Sequence, residues 1–110
     1  MGQIESLKLQ LALLAAEPDV QITHLTGGDI HGCVDELALD YDAVARNAEF
    51  MLNRGELTKD QYECIKRLDE YLSEMSGTAN AHLWTPEGLH STEAWRDVRR
   101  IAAECLGLFR

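Results

Sequence analysis

The sequence predicts an all-α protein, a single helical domain over residues 1–110 arranged as an irregular four-helix bundle, with one short extended segment near residues 20–25. Three observations carry this. Apolar residues recur at steps of three and four in four separate stretches, the signature of helices with one buried face. Those stretches are bounded by recognisable helix starts and stops. Composition allows a conventional core: 45% of the 110 residues are apolar, 26% are charged, and neither of the two prolines interrupts a long periodic run. A chain of this length matches the usual size of one domain.

The first element runs from about Ile4 to Ala16. Ile4, Leu7, Leu11 and Leu14 follow helical spacing, while Leu7, Leu9, Leu11 and Leu13 also alternate as a strand would. The length, the alanines at 12, 15 and 16, and the lack of β-branched residues after Ile4 favour helix. Glu17-Pro18-Asp19 ends it, because proline cannot continue the hydrogen-bonding pattern. Val20-Gln21-Ile22-Thr23 reads as a short extended piece, and Gly27, Gly28 and Gly32 mark a flexible loop after it.

The second helix carries Val34, Leu37, Tyr41, Val44, Ala48 and Met51 on one face and stops near Asn53-Arg54-Gly55. The third has the best start signal in the chain: Thr58 and Gln61 form a T-x-x-Q capping box, with Leu57 and Tyr62 placed as a hydrophobic staple. Its stripe is Tyr62, Ile65, Leu68, Leu72 and Met75, and Ser76-Gly77 ends it. A polar loop from Thr78 to Ser91 holds Thr85-Pro86-Glu87, a cap followed by proline at the first helical position, which fits a single helical turn. The last helix starts near Ser91 or Thr92 and buries Trp95, Val98, Ala102, Cys105 and Phe109.

Charge is the strongest functional signal. The chain has 19 acidic and 10 basic residues, a net charge of −9. Up to Leu57 ten acids face three bases, a balance of −7; from Thr58 onward nine acids face seven bases, a balance of −2. Such a protein is repelled by nucleic acid and by anionic membranes and attracted to basic proteins. There is no apolar run of transmembrane length. The N-terminal stretch has no positive region of the signal-peptide kind and carries Glu5 and Lys8 within its apolar run, while Gly2 is too loose a match for myristoylation. Cys33, Cys64 and Cys105 are odd in number and widely spread, with no CxxC pair. They read as free thiols in a reducing, cytoplasmic setting, with Cys64 and Cys105 serving as small apolar residues in helices.

Several groups of residues invite a chemical reading. At about 100° per residue, Asp35, Asp42 and Glu49 share one line of the second helix, opposite Leu37, Val44 and Met51. Glu36 and Asp40 flank that line and Arg46 partly neutralises it. The stripe is either a solvated face or an acidic docking surface. His24, Asp29, His31, Cys33 and Asp35 in the glycine-rich loop are metal-capable, but the His31–Cys33 spacing is not a common zinc pattern, and His82 and His90 stand alone. A Cys33–His31 or Cys33–His24 nucleophile with Asp29 would sit among acids that disfavour the thiolate. A short chain leaves little room for both a core and an enclosed carboxylate cleft. Trp84, in a loop, is either a lid on the core or a binding anchor. Arg96, Arg99 and Arg100 are matched locally by Glu93, Asp97 and Glu104.

The C-terminal half has a distinctive cadence. Leu57-Thr58-Lys59-Asp60-Gln61-Tyr62 leads to the run from Leu68 to Gly77, then to Leu83-Trp84-Thr85, then to Trp95-Arg96-Asp97-Val98-Arg99-Arg100-Ile101-Ala102 and Cys105-Leu106. Over about half the chain this resembles small helical immunity proteins of bacterial toxin systems, contact-dependent inhibition and related polymorphic toxins among them. The resemblance implies a cytoplasmic protein that binds and blocks one cognate toxin, often a nuclease, and that has no catalytic residues; the residues themselves lead to no expected cofactor or metal. A nuclease needs a basic surface to hold phosphates, and an acidic inhibitor mimics that phosphate charge and associates quickly. The expectation is therefore a non-enzymatic acidic binding protein that engages a basic toxin through Asp35, Glu36, Asp40, Asp42 and Glu49. A helical adaptor or regulatory domain with a different protein partner is the alternative, and a small metal-binding or enzymatic domain on the His31–Cys33 loop is the third.

Overall fold

Leu7, Leu11 and Leu14 are fully buried, and they fix the orientation of the first helix, α1 (Gln3–Ala15). A computed structural model describes the backbone of residues 3–26 and 34–109 and the side chains of residues 4–23 and 34–109. The described residues hold α1, α2 (Pro18–Thr26), α3 (Asp35–Ala45), α4 (Ala48–Asn53), α5 (Lys59–Glu74), a 3₁₀ helix (Thr78–Trp84), α6 (Pro86–Ser91) and α7 (Glu93–Gly107). The all-α expectation holds among them, while the architecture is a set of seven α-helices rather than four plain ones.

Residues 20–23, expected to be extended, belong to α2, which is a correction with a local cause. Pro18 does not only end α1; it occupies the first position of a new helix, where its missing N–H costs nothing. The Glu17 carbonyl accepts from the Val20 and Gln21 N–H groups, at 3.0 and 3.1 Å. Gln21 is fully buried, and its side-chain amide donates to the Leu13 and Leu14 carbonyls at 3.0 and 3.1 Å, closing the C-terminal end of α1.

The predicted second helix is interrupted at residues 46 and 47. The Asn47 N–H bonds the Val44 carbonyl, three residues back, and Asn47 sits at φ −92°, ψ 4°, so the pattern of α3 ends there and α4 starts afresh. Its apolar face is kept: Val34, Leu37, Tyr41, Ala48 and Met51 are all buried. α5 begins with the full reciprocal capping box, Gln61 N–H to Thr58 Oγ1 at 3.1 Å and Thr58 N–H to Gln61 Oε1 at 2.8 Å. Gly55 and Gly77 take positive φ, of 77° and 108°, where the chain leaves α4 and α5. Thr85 caps α6 by accepting from the Gly88 N–H at 2.9 Å.

One core joins these elements. α1 packs chiefly on α7 and α3, and α5 packs on α7, α3 and α4. Trp95 is fully buried and donates from its indole to the Leu83 carbonyl at 2.6 Å, so α7 holds the end of the 3₁₀ helix in place. The Cα radius of gyration is 13.7 Å, close to the ~13 Å expected of a folded chain of this length.

The cysteine expectation is corrected as well. Cys64 of α5 and Cys105 of α7 form a disulfide, with Cα atoms 5.5 Å apart, instead of remaining free thiols. The two stand 41 residues apart in sequence, so only the packing of α5 on α7 brings them together. Cys33 lies outside the described residues.

Candidate functional site

The acid-rich face of α3 is built from the inside outward. Val34, Leu37 and Tyr41 anchor the helix, and the Tyr41 hydroxyl donates to the Ile65 carbonyl of α5 at 2.8 Å. Burial, helped by the charge of Asp69, pushes the Tyr41 phenol far above its ordinary range. That anchoring fixes which residues face away. With 100° per residue, Leu39 comes roughly opposite Tyr41, Asp35 and Asp42 lie to one side of it, and Glu36 and Asp40 to the other. Leu39 is 64% exposed, and Asp35, Glu36 and Asp40 are exposed around it. Asp35 and Glu36 also occupy the first turn of α3, where carboxylates complement the helix dipole.

The five residues expected to bind a partner divide into two groups. Asp35, Glu36 and Asp40 share the outer face of α3, and none has an ion-pair partner among the described residues. Asp42 is half-buried and pairs with Arg46 at 2.7 Å, an exposed i,i+4 contact of small energetic value. Glu49 lies beyond the break at residues 46 and 47, on α4. There it lines a small hollow opposite Lys66 of α5.

Two further features belong to this face. An open hollow of about 570 Å³ lies beside α3, bounded by Asp35, Ala38 and Leu39 on one side and by Ser76, Ala81 and Trp84 on the other. A smaller one, of about 270 Å³, shares Ala38, Leu39 and Ser76 and adds Asp42 and Asp69. Asp69 of α5 is held above the ordinary carboxylate range by burial and by the neighbouring charges of Asp42 and Glu70. Trp84, read from sequence as lid or anchor, is half-buried. Its indole N–H donates to the Met75 carbonyl at 2.8 Å, and its ring meets Trp95 edge-on at 5.3 Å.

The hollow was missed in the sequence because it needs α3 and the 3₁₀ helix side by side, some forty residues apart in the chain. Leu39 did leave a signal: it falls on the polar side of a helix whose apolar face is already complete.

The other candidates resolve as follows. Residues 27–33 and the side chain of His24 lie outside the described residues, so of the metal-capable loop set only Asp35 is placed. Among the described residues no group of three or more His, Cys, Asp or Glu side chains converges as a metal site would require. Of the C-terminal arginines, Arg100 pairs with Asp97 and Glu104, at 3.6 and 3.3 Å, and Arg99 donates to the Leu89 carbonyl at 3.1 Å. No described helix is long and apolar enough to cross a membrane. No family model matches the chain, and neither do any curated proteins or solved structures.

Proposed function

We propose that this chain is a non-enzymatic acidic binding protein that neutralises a basic toxin domain by direct contact through the outer face of α3. One observation carries the reading: an exposed leucine, Leu39, ringed by the carboxylates of Asp35, Glu36 and Asp40, which have no ion-pair partner among the described residues. Solvation alone accounts for exposed acids, but a large apolar side chain at their centre is the arrangement of an interface, with an apolar middle and a charged rim. The net charge of −9 steers a cationic partner toward that face and disfavours nucleic acid and anionic membranes. Asp42 and Glu49 complete the proposed partner-binding set from its edges, Asp42 by exchanging Arg46 for a cation of the partner.

The nuclease character of the toxin rests on the immunity-protein resemblance and on charge. A helical adaptor would use the same surface, and the two differ in whether the partner is toxic. The cytoplasmic location expected from the sequence rested on the lack of an export signal, on free thiols and on the resemblance; the Cys64–Cys105 bond removes the thiol part of that ground, since such bonds are rare in reducing compartments. The proposal concerns the surface in either compartment.

Replacing Asp35, Glu36 and Asp40 together by lysine tests the reading in stopped-flow association with the cognate basic domain. A fall in the on-rate of roughly tenfold or more at low ionic strength is expected, with a flatter dependence on salt. An unchanged on-rate with an intact fold sinks the proposal.

A further inference from the structure

The two hollows beside α3 form one trough, and its chemistry selects a particular kind of side chain. They share Ala38, Leu39 and Ser76, so they join along the contact of α3 with the C-terminal part of α5. The larger hollow is mostly apolar, and the smaller one is of mixed character. Each end carries acid: Asp35 at one, Asp42 and Asp69 at the other. Asp35 and Asp42 are seven residues apart on α3, about 10 Å along the axis. Trp84 lines the Asp35 end only.

We infer that the trough binds an arginine-bearing, otherwise aliphatic segment of a basic protein. One guanidinium lies over the Trp84 ring and against Asp35, aliphatic neighbours rest on Ala38 and Leu39, and a second cation sits between Asp42 and Asp69. This deepens the function proposed above and rests on it.

Five considerations lead to this occupant. Trp84 is already fixed, by its indole bond to the Met75 carbonyl and its edge contact with Trp95, so the ring offers a rigid surface at little entropic cost. Arginine suits such a surface better than lysine, because its guanidinium is planar, weakly hydrated and stacks on aromatic rings while pairing with a carboxylate. The far end holds Asp42 and Asp69 close enough for their charges to interact, and a partner cation there serves both once Asp42 exchanges its exposed pairing with Arg46. A second copy of this chain is the wrong occupant: it would set acidic faces of two molecules, each of charge −9, against one another. The larger hollow, about 570 Å³, falls within the range of sites that enclose small ligands, enough for one long side chain with its neighbours.

Fluorescence provides the test, because Trp84 is half-exposed while Trp95 is fully buried. The probes are three capped peptides, Arg-Leu-Ala-Arg, Lys-Leu-Ala-Lys and Arg-Gly-Gly-Arg; in polyproline II form, with three residues per turn, the first and fourth residues share one face about 9 Å apart, matching the trough. The full chain is titrated with each at low salt. Arg-Leu-Ala-Arg is expected to shift the tryptophan emission and to bind at least fivefold more tightly than either of the others. Asp35→Asn and Leu39→Ala should each weaken it at least threefold. Both positions are exposed, so the fold tolerates them, and amide chemical shifts of Gly77 and Ala81 follow occupancy independently of fluorescence. Equal affinities for the three peptides, with flat emission and binding lost only on reversal of Glu36 and Asp40, would overturn the trough and leave the acidic-face function standing. Absence of binding by all three peptides overturns the trough as well. The wider function fails separately, if the lysine triple variant associates with the cognate basic domain as the parent does.

Discussion

Reducing the Cys64–Cys105 bond unties α5 from α7 and opens a covalent loop between residues 41 apart. In the chain-entropy description, a closure of that length removes about 4 kcal/mol of disorder from the unfolded state. The native packing is largely untouched by reduction, since α5 and α7 also pack on one another within the core that holds Ile65, Leu68, Val98 and Ile101. With unfolding entropy near 2 cal/mol/K per residue, a 110-residue chain loses roughly 15 °C in Tm. The assay is a pair of thermal melts by circular dichroism, with and without a phosphine reductant, together with intact-mass measurement after alkylation of the denatured chain. Without reductant one cysteine, Cys33, should alkylate; after reduction all three should. Alkylation of three cysteines in the unreduced chain, or a Tm shift below about 4 °C, would refute the reasoning.

Four other outcomes follow. Tyr41→Phe removes the buried hydrogen bond to the Ile65 carbonyl and should cost about 1–2 kcal/mol in urea unfolding. The Tyr41 phenol titrates near 10.0 when unfolded and far higher when folded, so the folded state holds its proton while the unfolded state loses it; stability therefore falls as pH rises above 10.0, and that alkaline loss should be smaller in Tyr41→Phe. Gly88→Ala places a Cβ 2.7 Å from the Leu83 carbonyl oxygen, between α6 and the 3₁₀ helix, and should destabilise by roughly 1–3 kcal/mol through overpacking, read as a lower Tm. Asp69→Asn should raise stability at neutral pH, because the carboxyl is held above its ordinary value by burial, Asp42 and Glu70; the gain should vanish below pH 3.8, where the folded and unfolded carboxyls are both protonated.

The parts of this fold that were legible in the sequence are those set by local signals. Thr58 and Gln61 announced α5 because a capping box satisfies its own backbone groups within four residues. The face of α7 could be read because Trp95, Val98, Ala102 and Cys105 keep helical spacing without interruption, and all four are buried. Where two local signals competed, the reading failed. Pro18 ends one helix and starts another, and the apolar-polar alternation of Val20-Gln21-Ile22-Thr23 concealed a helix that the buried Gln21 secures by bonding to α1. The break at Arg46-Asn47 has no glycine or proline to betray it. The disulfide and the trough depend on helices distant in sequence, and neither has a local signature. Leu39 was visible as an apolar residue out of phase with its helix, but its meaning required the wall supplied by Ala81 and Trp84.

The central claim is that α3 presents an acidic, leucine-centred face to a basic toxin. It is tested most directly by affinity capture from native cell extract, with the parent chain and the Asp35/Glu36/Asp40-to-lysine variant in parallel, at low and high salt. Mass spectrometry identifies what is retained, and the captured protein is then expressed alone and with the parent chain in a growth assay. The account predicts one basic protein that is held by the parent at low salt, released by high salt, lost by the variant, toxic alone and harmless with its binder. Retention of the same proteins by parent and variant, or of a neutral partner indifferent to salt and without toxicity, would contradict it.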